Sequence, residues 1–528
     1  MKIKSMAIAM LLTISSGIAN AQTAEIPNVL KIRNARSNGT IKKQNEIAGY
    51  YTFYFKEKAD KKNSAYEVRI SDNELNTINT FELVRPKATI LMETVYNGEA
   101  LMFFFYDQKT GYEFVTYSLD GKKLGSSLVT KDAISMFDLQ ATIASSSSEG
   151  DNTTMYPVEG EGFVRQRFTK NKKMAFEIAR FDNKAKEVWT YSSAKESKLV
   201  EYIDVNEVTD KYVTATVYRK KSLMTNKANL AFLILDVNTG KLIAELPMGN
   251  EDEGKKSVVK SFVDNQMNKI VLIGEYYDAG DDIYKDKSQG LYVQDVSFDG
   301  KILGETEYSW KTDIAKFMKE TMDEEDKKDK RPYNFFWHDV IRGANGHLYL
   351  IGEQYKKQIS AAGVGLGVLA SATGGDSNVA AIEVLIANMV VVELGAKNEL
   401  TKIDIVPKRK TRVQLEQGAG MVSIVKLGLI LKAQGDFDYS FTSREKDADK
   451  FTVIYTDGNR KEEKGSTKSD VMLGVIHVEN GAVKNDRIGV NFDSWYWWIR
   501  QAKPGFILLG EYARKEKVIK LRLEQVAY

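Results

Sequence analysis

Three glutamates that follow a glycine at the end of an apolar run are the first candidates for chemistry. They are Glu275, Glu353 and Glu511, and each is followed by an aromatic residue within two positions. If these phrases occupy equivalent places in repeated units, the carboxylates could face one channel, where they could bind a cation or share protons. Like charges in proximity raise one another's pKa. Alternatively, each glutamate ends its strand by bonding to the backbone of a neighbouring unit.

Two groups of aspartates could ligate calcium, which binds several oxygen atoms. The first group is Asp278, Asp281 and Asp282, and the second is Asp436, Asp438, Asp447 and Asp449. Neither group fits the D-x-[DN]-x-[DN]-G loop, so solvated surface acids are the preferred interpretation. The chain has only three histidines, which also argues against a histidine metal site. We therefore predict no metal site and no cofactor.

Aromatic residues are the remaining candidates for a binding site. In the segment 494–498, strand alternation places Trp495 and Trp497 on one face and Tyr496 and Trp498 on the other. If they are exposed, such rings could stack on sugars or hold a partner; if they are buried, they are large packing groups between units. Trp337 begins another unit and allows the same two interpretations. The following His338 and Asp339 would point to opposite faces of a strand, so they would not act as a pair.

No signature of a nucleophile or of a phosphate-binding loop is present. The chain lacks G-x-S-x-G, H-E-x-x-H and S-x-x-K with its companion motifs, and its glycine series at 363, 365 and 367 lacks a following Lys-Ser/Thr. Lysine and arginine number 75 against 72 aspartates and glutamates. This balance excludes a dominant nucleic-acid-binding field, so no nucleic-acid partner is expected.

These candidate residues lie within a repeated pattern of strands and tight turns. Turn signals of the Asp-Gly type, or weaker versions of it, occur near residues 72, 121, 183, 240, 300, 395 and 481. Each predicts a β-hairpin, because glycine accepts the positive φ of a tight turn. The strand before each hairpin is often apolar on both faces, as in segment 101–106, which indicates a sheet covered on both sides.

The strands group into eight units, and the eighth ends the chain at segment 517–523 without a fourth strand. We expect residues 29–33 to supply that strand, because pairing the two termini removes two exposed sheet edges. Two insertions interrupt the spacing, at about 311–330 and 358–387. The first contains an amphipathic helix over 312–322 with Thr312 as its N-cap. The second is a glycine- and alanine-rich segment that reads as an apolar flap or partner-docking element.

This pattern resembles that of β-propellers, although it lacks the Gly-His…Trp-Asp pair of WD repeats and the Gly-Gly motif of kelch repeats. The resemblance implies an all-β fold of eight four-stranded blades, closed by an N-terminal strand in the C-terminal blade. Seven blades, or two separate β domains, are the alternatives.

The N-terminus has the features of a secretory signal peptide. Lys2 and Lys4 precede an apolar stretch over residues 6–18, and Ala19-Asn20-Ala21 is a small-x-small cleavage site. We therefore expect a leader at 1–21, a single propeller domain at 22–528, and no membrane span after cleavage. The expected location is the periplasm, the cell surface or the extracellular space, and the expected state is a monomer.

Two functions remain open from the sequence. The first is a non-enzymatic binding or scaffold propeller of the cell envelope, whose partner is a protein or a glycan. The second is a glycan-active hydrolase or lyase that uses two of the carboxylates at 275, 353 and 511, which would have to lie about 5–10 Å apart.

Overall fold

The computed structural model covers the sequence from the predicted cleavage point almost to the C-terminus, with gaps. The described residues are 22–32, 37–43, 46–147, 153–169, 174–193, 198–222, 225, 227–250, 252–321, 333–359, 382–415, 422–444, 450–457, 469–494 and 496–526. They form eight antiparallel sheets, which we call blades 1 to 8 in chain order. The predicted leader lies outside the described residues.

The first strand, β1 (Gln22–Ile26), belongs to blade 8, and blades 1 to 4 follow it. Blade 1 comprises β2 (Asn38–Lys43), β3 (Glu46–Glu57), β4 (Asn63–Asp72) and β5 (Thr77–Pro86). Blade 2 comprises β6 (Ile90–Tyr96), β7 (Leu101–Asp107), β8 (Gly111–Tyr117) and β9 (Lys123–Thr130). Blade 3 comprises β10 (Met155–Val158), β11 (Gly162–Phe168), β12 (Phe176–Phe181) and β13 (Glu187–Ser192). Blade 4 comprises β14 (Val200–Val208), β15 (Tyr212–Lys220), β16 (Ala228–Asp236) and β17 (Leu242–Pro247).

Blades 5 and 6 each carry one additional strand. Blade 5 comprises β18 (Gly249–Asn250), β19 (Gly254–Asp264), β20 (Lys269–Tyr277), β21 (Gly290–Ser297) and β22 (Ile302–Ser309). Blade 6 comprises β23 (Asn334–Arg342), β24 (Leu348–Ile359), β25 (Ile382–Leu394), β26 (Leu400–Val406) and β27 (Thr411–Gln414), which pairs with β25. Blade 7 comprises β28 (Tyr439–Arg444), β29 (Lys450–Thr456), β30 (Ser469–Glu479) and β31 (Ala482–Phe492). Blade 8 comprises β32 (Trp497–Gln501), β33 (Phe506–Ala513), β34 (Val518–Gln525) and β1.

All seven predicted hairpins are confirmed; each joins the third and fourth strands of its blade, except in blade 5, where β18 precedes the usual four and the hairpin joins β21 and β22. Gly121 has φ +84° and Gly300 has φ +83°, as their tight turns require. The middle strands are covered on both faces: every residue of β7 is buried. The fourth strands, such as β9, expose alternate residues to solvent. These are the burial patterns of inner and outer strands in a propeller.

Eight clusters of buried hydrophobic residues lie between successive blades and hold them in a ring. The first joins blades 1 and 2, and the series continues to the cluster between blades 7 and 8. The eighth cluster packs Tyr54 and Leu75 of blade 1 with Trp498 and Leu508 of blade 8. The ring is therefore closed, and the predicted eight-bladed propeller is confirmed.

Closure by an N-terminal strand is also confirmed, but the strand is β1 rather than residues 29–33. Gln22 pairs with Leu523 and Ile26 with Ile519 in an antiparallel ladder. Pro27 lacks an N–H and Asn28 turns the chain at φ +63°, so the strand ends there. The segment after the turn passes to blade 1, where Leu30 N–H donates to the Phe55 carbonyl at 3.0 Å.

Helices occur in the connections between blades. They are α1 (Met136–Ser147), a π-helical turn (Trp310–Ile314) that continues into α2 (Ala315–Thr321), and α3 (Ile424–Gln434). The helix predicted in the first insertion is thus present, but its cap is Ser309, whose side chain accepts from Lys311 N–H at 3.2 Å, and not Thr312. The sequence analysis did not predict α1 or α3.

The second insertion joins the ends of β24 and β25, where Ile359 pairs with Ile382. The predicted apolar flap falls mainly on residues 360–381, which lie outside the described residues. Among the helices that are described, none has the length and apolar character needed to cross a bilayer.

Candidate ligand-binding cavity

A cavity of about 1120 Å³ lies where blades 4, 5 and 6 meet two of the inserted helices. Strands β14, β19, β20, β23 and β24 form its walls, and residues of α2 and α3 complete them. Concave sites of this size hold small ligands or segments of larger ones. The first helix lies in the connection between blades 5 and 6 and the second in the connection between blades 6 and 7, so both lie beside the cavity.

The walls of this cavity are predominantly aromatic. Rings from blades 5 and 6 and from the turn before α2 line it: Tyr277, Trp310, Phe335, Phe336, Trp337 and Tyr355. The Trp310 and Phe335 rings lie 5.2 Å apart with planes 20° apart, and the Phe335 and Trp337 rings lie 5.8 Å apart at 14°. Phe335 and Trp337 are two positions apart on β23, so their side chains lie on the same face of the strand. Tyr202, Tyr218, Tyr284 and Tyr333 also line the cavity.

The two tryptophans are fixed by polar groups of blade 5. Trp337 Nε1–H donates to Glu275 Oε1 at 3.1 Å, and Trp310 Nε1–H donates to Ser288 Oγ at 3.0 Å. Tyr277 O–H donates to the second oxygen of Glu275 at 3.2 Å. The side chains of both tryptophans therefore have defined positions before any ligand arrives, which reduces the entropy lost on binding.

In two of the three Gly-Glu phrases, the glycine provides the space for a tryptophan of the neighbouring strand. Gly352 lies opposite Trp337 across the β23–β24 pair, and a Cβ on Gly352 would lie 2.7 Å from ring atom Cε3 of Trp337. In blade 8, Gly510 lies opposite Trp498, and its Cβ would lie 2.2 Å from the ring atom Cε2. In these two copies the absent side chain makes room for an indole, whereas a Cβ on Gly274 would lie 1.8 Å from the Ser257 carbonyl oxygen.

Replacing Gly352 with alanine is expected to destabilise the protein by about 1–3 kcal/mol, because the new methyl group would displace the Trp337 ring in a packed wall. Gly304→Ala in strand β22 is the matched control, since its Cβ would have no atom within 4 Å. That variant should be neutral or slightly stabilising. Urea unfolding midpoints measure both effects. Equal midpoints for the two variants would contradict this account of the motif.

Two carboxylates line the cavity, and burial raises the pKa of each. Burial raises the pKa of Glu275, although hydrogen bonds from Trp337 and Tyr277 oppose the shift. The side chain of Asp204 is exposed to solvent, but the cavity walls surround it. This desolvation raises the pKa of Asp204 to about 6, although the positive charge of Lys260 opposes the shift. Among the residues that the structure describes, neither carboxylate has a salt-bridge partner within 4.0 Å. Both can therefore serve as polar groups that accept hydrogen bonds.

Glu353 does not line the cavity and is fully buried in a charged cluster between blades 6 and 7. Its oxygens lie 3.2 Å from Lys408 Nζ and 3.0 Å from His338 Nε2, and they accept the backbone N–H of Tyr439 at 3.1 Å. Burial works to raise the pKa of Glu353, but Lys408 and His338 outweigh it and lower the pKa. Burial also lowers the pKa of His338, although the neighbouring Glu353 opposes the shift.

Lys408 is shared between Glu353 and Asp438, with which it also makes a short ion pair. Burial works to lower the pKa of Lys408, but the two carboxylates raise it. Burial raises the pKa of Asp438 to about 6, because a single lysine cannot compensate two buried acids equally. This cluster therefore holds the segment between β26 and β27 against the start of blade 7.

Glu511 is also a structural connection. Its Oε2 accepts the backbone N–H groups of Asp493 at 2.7 Å and Ser494 at 3.0 Å, where the chain passes from blade 7 to blade 8. Gln166 and Glu207 likewise accept backbone N–H groups of the following blade, from Val205 and Val263. The alternative interpretation, in which each glutamate bonds to a neighbouring unit, fits Glu353 and Glu511. Only Glu275 of the three faces the cavity.

The other predicted site residues lie elsewhere. Trp497 is half-buried and stacks on Phe492 at 4.8 Å, and Trp495 lies outside the described residues. In the acidic loop, Asp281 Oδ2 accepts the N–H of Asp278 at 3.2 Å, and Asp282 Oδ1 accepts the N–H of Tyr284 at 2.9 Å. Asp447 and Asp449 are not described. Within the described parts of the chain, no three His, Asp or Glu side chains form a group that could hold a metal ion.

Several residues that line the cavity are not predicted by any pattern in the sequence. Asp204, Gln354 and Tyr284 belong to three different blades or their loops, and none is part of a recurring motif. The one available signal was Trp310, an indole at the start of the inserted helix. Ser423 and Gly435, which cap α3 at its two ends, would have predicted that helix.

The fold and the cavity define the class: an eight-bladed β-propeller with an aromatic-lined site between blades 4, 5 and 6. The chain belongs to the family of unknown function DUF6770, whose sequence pattern matches residues 1–527. No protein of curated function matches the sequence.

Distantly similar folds occur among solved structures. Prolyl oligopeptidase B from Galerina marginata is 8% identical, with a TM-score of 0.37 over 93% of this chain and 54% of that chain. The europium-containing methanol dehydrogenase is 10% identical, with a TM-score of 0.37 over 80% and 77%. The β-propeller domain of the trilobed protease from Pyrococcus furiosus is 10% identical, with a TM-score of 0.29 over 71% and 96%. The chain spans about half the length of the prolyl oligopeptidase.

Proposed function

We propose that this protein is an exported, non-enzymatic binding propeller of the cell envelope that holds a glycan in the cavity between blades 4, 5 and 6. The leader pattern at residues 1–21 supports export. Strand β1 begins at Gln22, so cleavage after Ala21 would leave the closing strand intact. The aromatic lining of the cavity is the observation that carries the choice of a glycan.

Aromatic rings suit the apolar faces of pyranose sugars, because flat C–H surfaces pack on them and remain oriented. The Trp310, Phe335 and Trp337 rings lie within 20° of parallel and form such a surface. Sugar hydroxyls also require polar partners at the edge of the ring. Glu275 and Asp204 supply acceptors beside this surface. A few polar groups in a mostly apolar site orient a ligand and give specificity.

Calorimetric titration with tetrasaccharides of glucose, N-acetylglucosamine, mannose and xylose tests the proposal. We expect at least one sugar to bind, and we expect Trp310→Ala to weaken that binding by about tenfold or more, since an aromatic contact contributes on the order of 1.4 kcal/mol. Trp497→Ala is the matched control, because Trp497 stacks on Phe492 outside the cavity. The affinity of the Trp497→Ala variant for the same sugar should be unchanged. A wild-type protein that binds none of the sugars contradicts the proposal.

The hydrolase or lyase alternative is favoured by one observation: Glu275 and Asp204 both line the cavity and both have raised pKa values, as catalytic acids do. Chromatography of the same tetrasaccharides after incubation with the protein decides between the two functions. Cleavage that is lost in Glu275→Gln would establish the enzyme and overturn the non-enzymatic proposal. Intact sugars would support binding alone.

A further inference from the structure

The side-chain amide of Gln354 is an unusual feature of the cavity wall. Gln354 is 1% exposed and lines the cavity, yet neither Oε1 nor Nε2 has a hydrogen-bond partner among the described residues. Buried amides are normally paired, because leaving both their donor and their acceptor unsatisfied is costly. An unpaired amide in the wall of a cavity points to a partner that enters from the cavity.

Gln166 shows how a glutamine is used structurally in this propeller. Both residues belong to the second strand of their blade, Gln166 in β11 and Gln354 in β24. The Oε1 atom of Gln166 accepts the N–H of Val205 in the next blade at 2.8 Å. In blade 6 the adjacent Glu353 already makes that connection, to Tyr439. Gln354 is therefore not needed to join the blades.

The position of Gln354 beside the aromatic surface defines what it could recognise. Gln354 lies opposite Phe335 across the β23–β24 pair, so the amide and the ring belong to adjacent positions of one wall. A carboxamide presents a donor and an acceptor side by side. Two neighbouring hydroxyls of a pyranose, each able to donate and accept, can satisfy both while the face of the sugar packs on the ring.

We infer that Gln354 is the specificity-determining residue of the cavity, and that it pairs with two vicinal hydroxyls of a neutral pyranose stacked on the aromatic wall. This inference rests on the proposed glycan-binding function. It adds an amide, which both donates and accepts, to the acceptors that the two carboxylates supply. A neutral sugar satisfies the amide without placing a charge in the apolar cavity.

Gln354→Met tests the inference, because methionine is similar in volume and has no hydrogen-bonding amide. We expect the melting temperature of the ligand-free protein to rise by about 1–3 °C, since an unsatisfied buried amide is removed. We also expect the affinity for the best-binding tetrasaccharide of the four named above to fall by about tenfold or more. A residue with a merely structural role would not combine greater stability with weaker binding.

Gln166→Met is the matched control. It should lower the melting temperature, because the N–H of Val205 loses its acceptor, and it should leave sugar affinity unchanged. A lower melting temperature for Gln354→Met, or sugar binding equal to that of the wild type, overturns the inference. If the wild type binds none of the four sugars, the proposed function fails. That result differs from failure of the inference alone, in which wild type and Gln354→Met bind sugar equally.

Discussion

Replacing Lys408 with methionine is expected to destabilise the protein by about 3–5 kcal/mol, because removing one partner leaves buried charges without compensation. Lys408 is the cation within reach of both Glu353 and Asp438, and its side chain is fully buried. Urea unfolding of the variant and the wild type at pH 7 measures the loss. A decrease below about 1 kcal/mol would contradict the role assigned to this cluster.

Lys301→Met is the control for that experiment. Lys301 also forms an ion pair, with Asp299 at 2.7 Å, but its side chain is 78% exposed. Exposed pairs contribute about 0–1 kcal/mol, so this variant should unfold almost like the wild type. The difference between the two lysines isolates the effect of burial.

The loss of folding stability caused by Lys408→Met should also depend on pH. Without the lysine, burial raises the pKa values of Glu353 and Asp438 in the folded state above those of the unfolded chain. The folded state then binds more protons than the unfolded state between these values, so the stability of the variant falls as pH rises. The deficit relative to wild type should therefore be smaller at pH 5 than at pH 8.

Removing β1 is expected to have the second large effect. A chain that begins at residue 27 loses the five-residue ladder with β34 and the buried Ile26 side chain. The loss of Ile26 alone should cost about 2–5 kcal/mol, as truncation of a buried isoleucine does. The exposed edge of β34 should also promote association between chains. Thermal unfolding and size-exclusion chromatography measure the two consequences.

Thr23→Ala combined with Glu25→Ala is the control for strand removal, since both side chains are exposed while the backbone ladder is kept. This double variant should elute like the wild type from the size-exclusion column and have close to wild-type stability. A shortened chain that is as stable as the control and elutes at the same volume would show that the ring does not depend on the strand.

Local features allowed most of the fold to be predicted. Glycines such as Gly121 and Gly300 determine their turns through their own backbone conformation, and the strand before each turn is apolar in sequence. β1 could not be recognised in this way, because an outer strand exposes half of its residues and its sequence Gln-Thr-Ala-Glu-Ile is mostly polar. Residues 29–33 are more apolar, so the sequence predicts that they form the closing strand instead.

The candidate site could be predicted only in part, because its character depends on neighbouring blades. Glu275 and Glu353 follow the same apolar Gly phrase, yet Glu275 meets Trp337 at a cavity wall whereas Glu353 meets Lys408 in a buried cluster. The difference comes from the segment between β26 and β27, which supplies Lys408. The sequence does not show which repeat will lie against which insertion.

The joining of β1 to β34 has a consequence for biogenesis. The paired residues, such as Gln22 and Leu523, are separated by about 500 positions, so the first strand to be synthesised cannot be incorporated until the last one exists. Contacts of such long range form late, after the entropy of closing the intervening chain has been overcome. Until β34 has been synthesised, β1 must therefore remain unpaired, so a chain that stops before residue 518 cannot complete the ring.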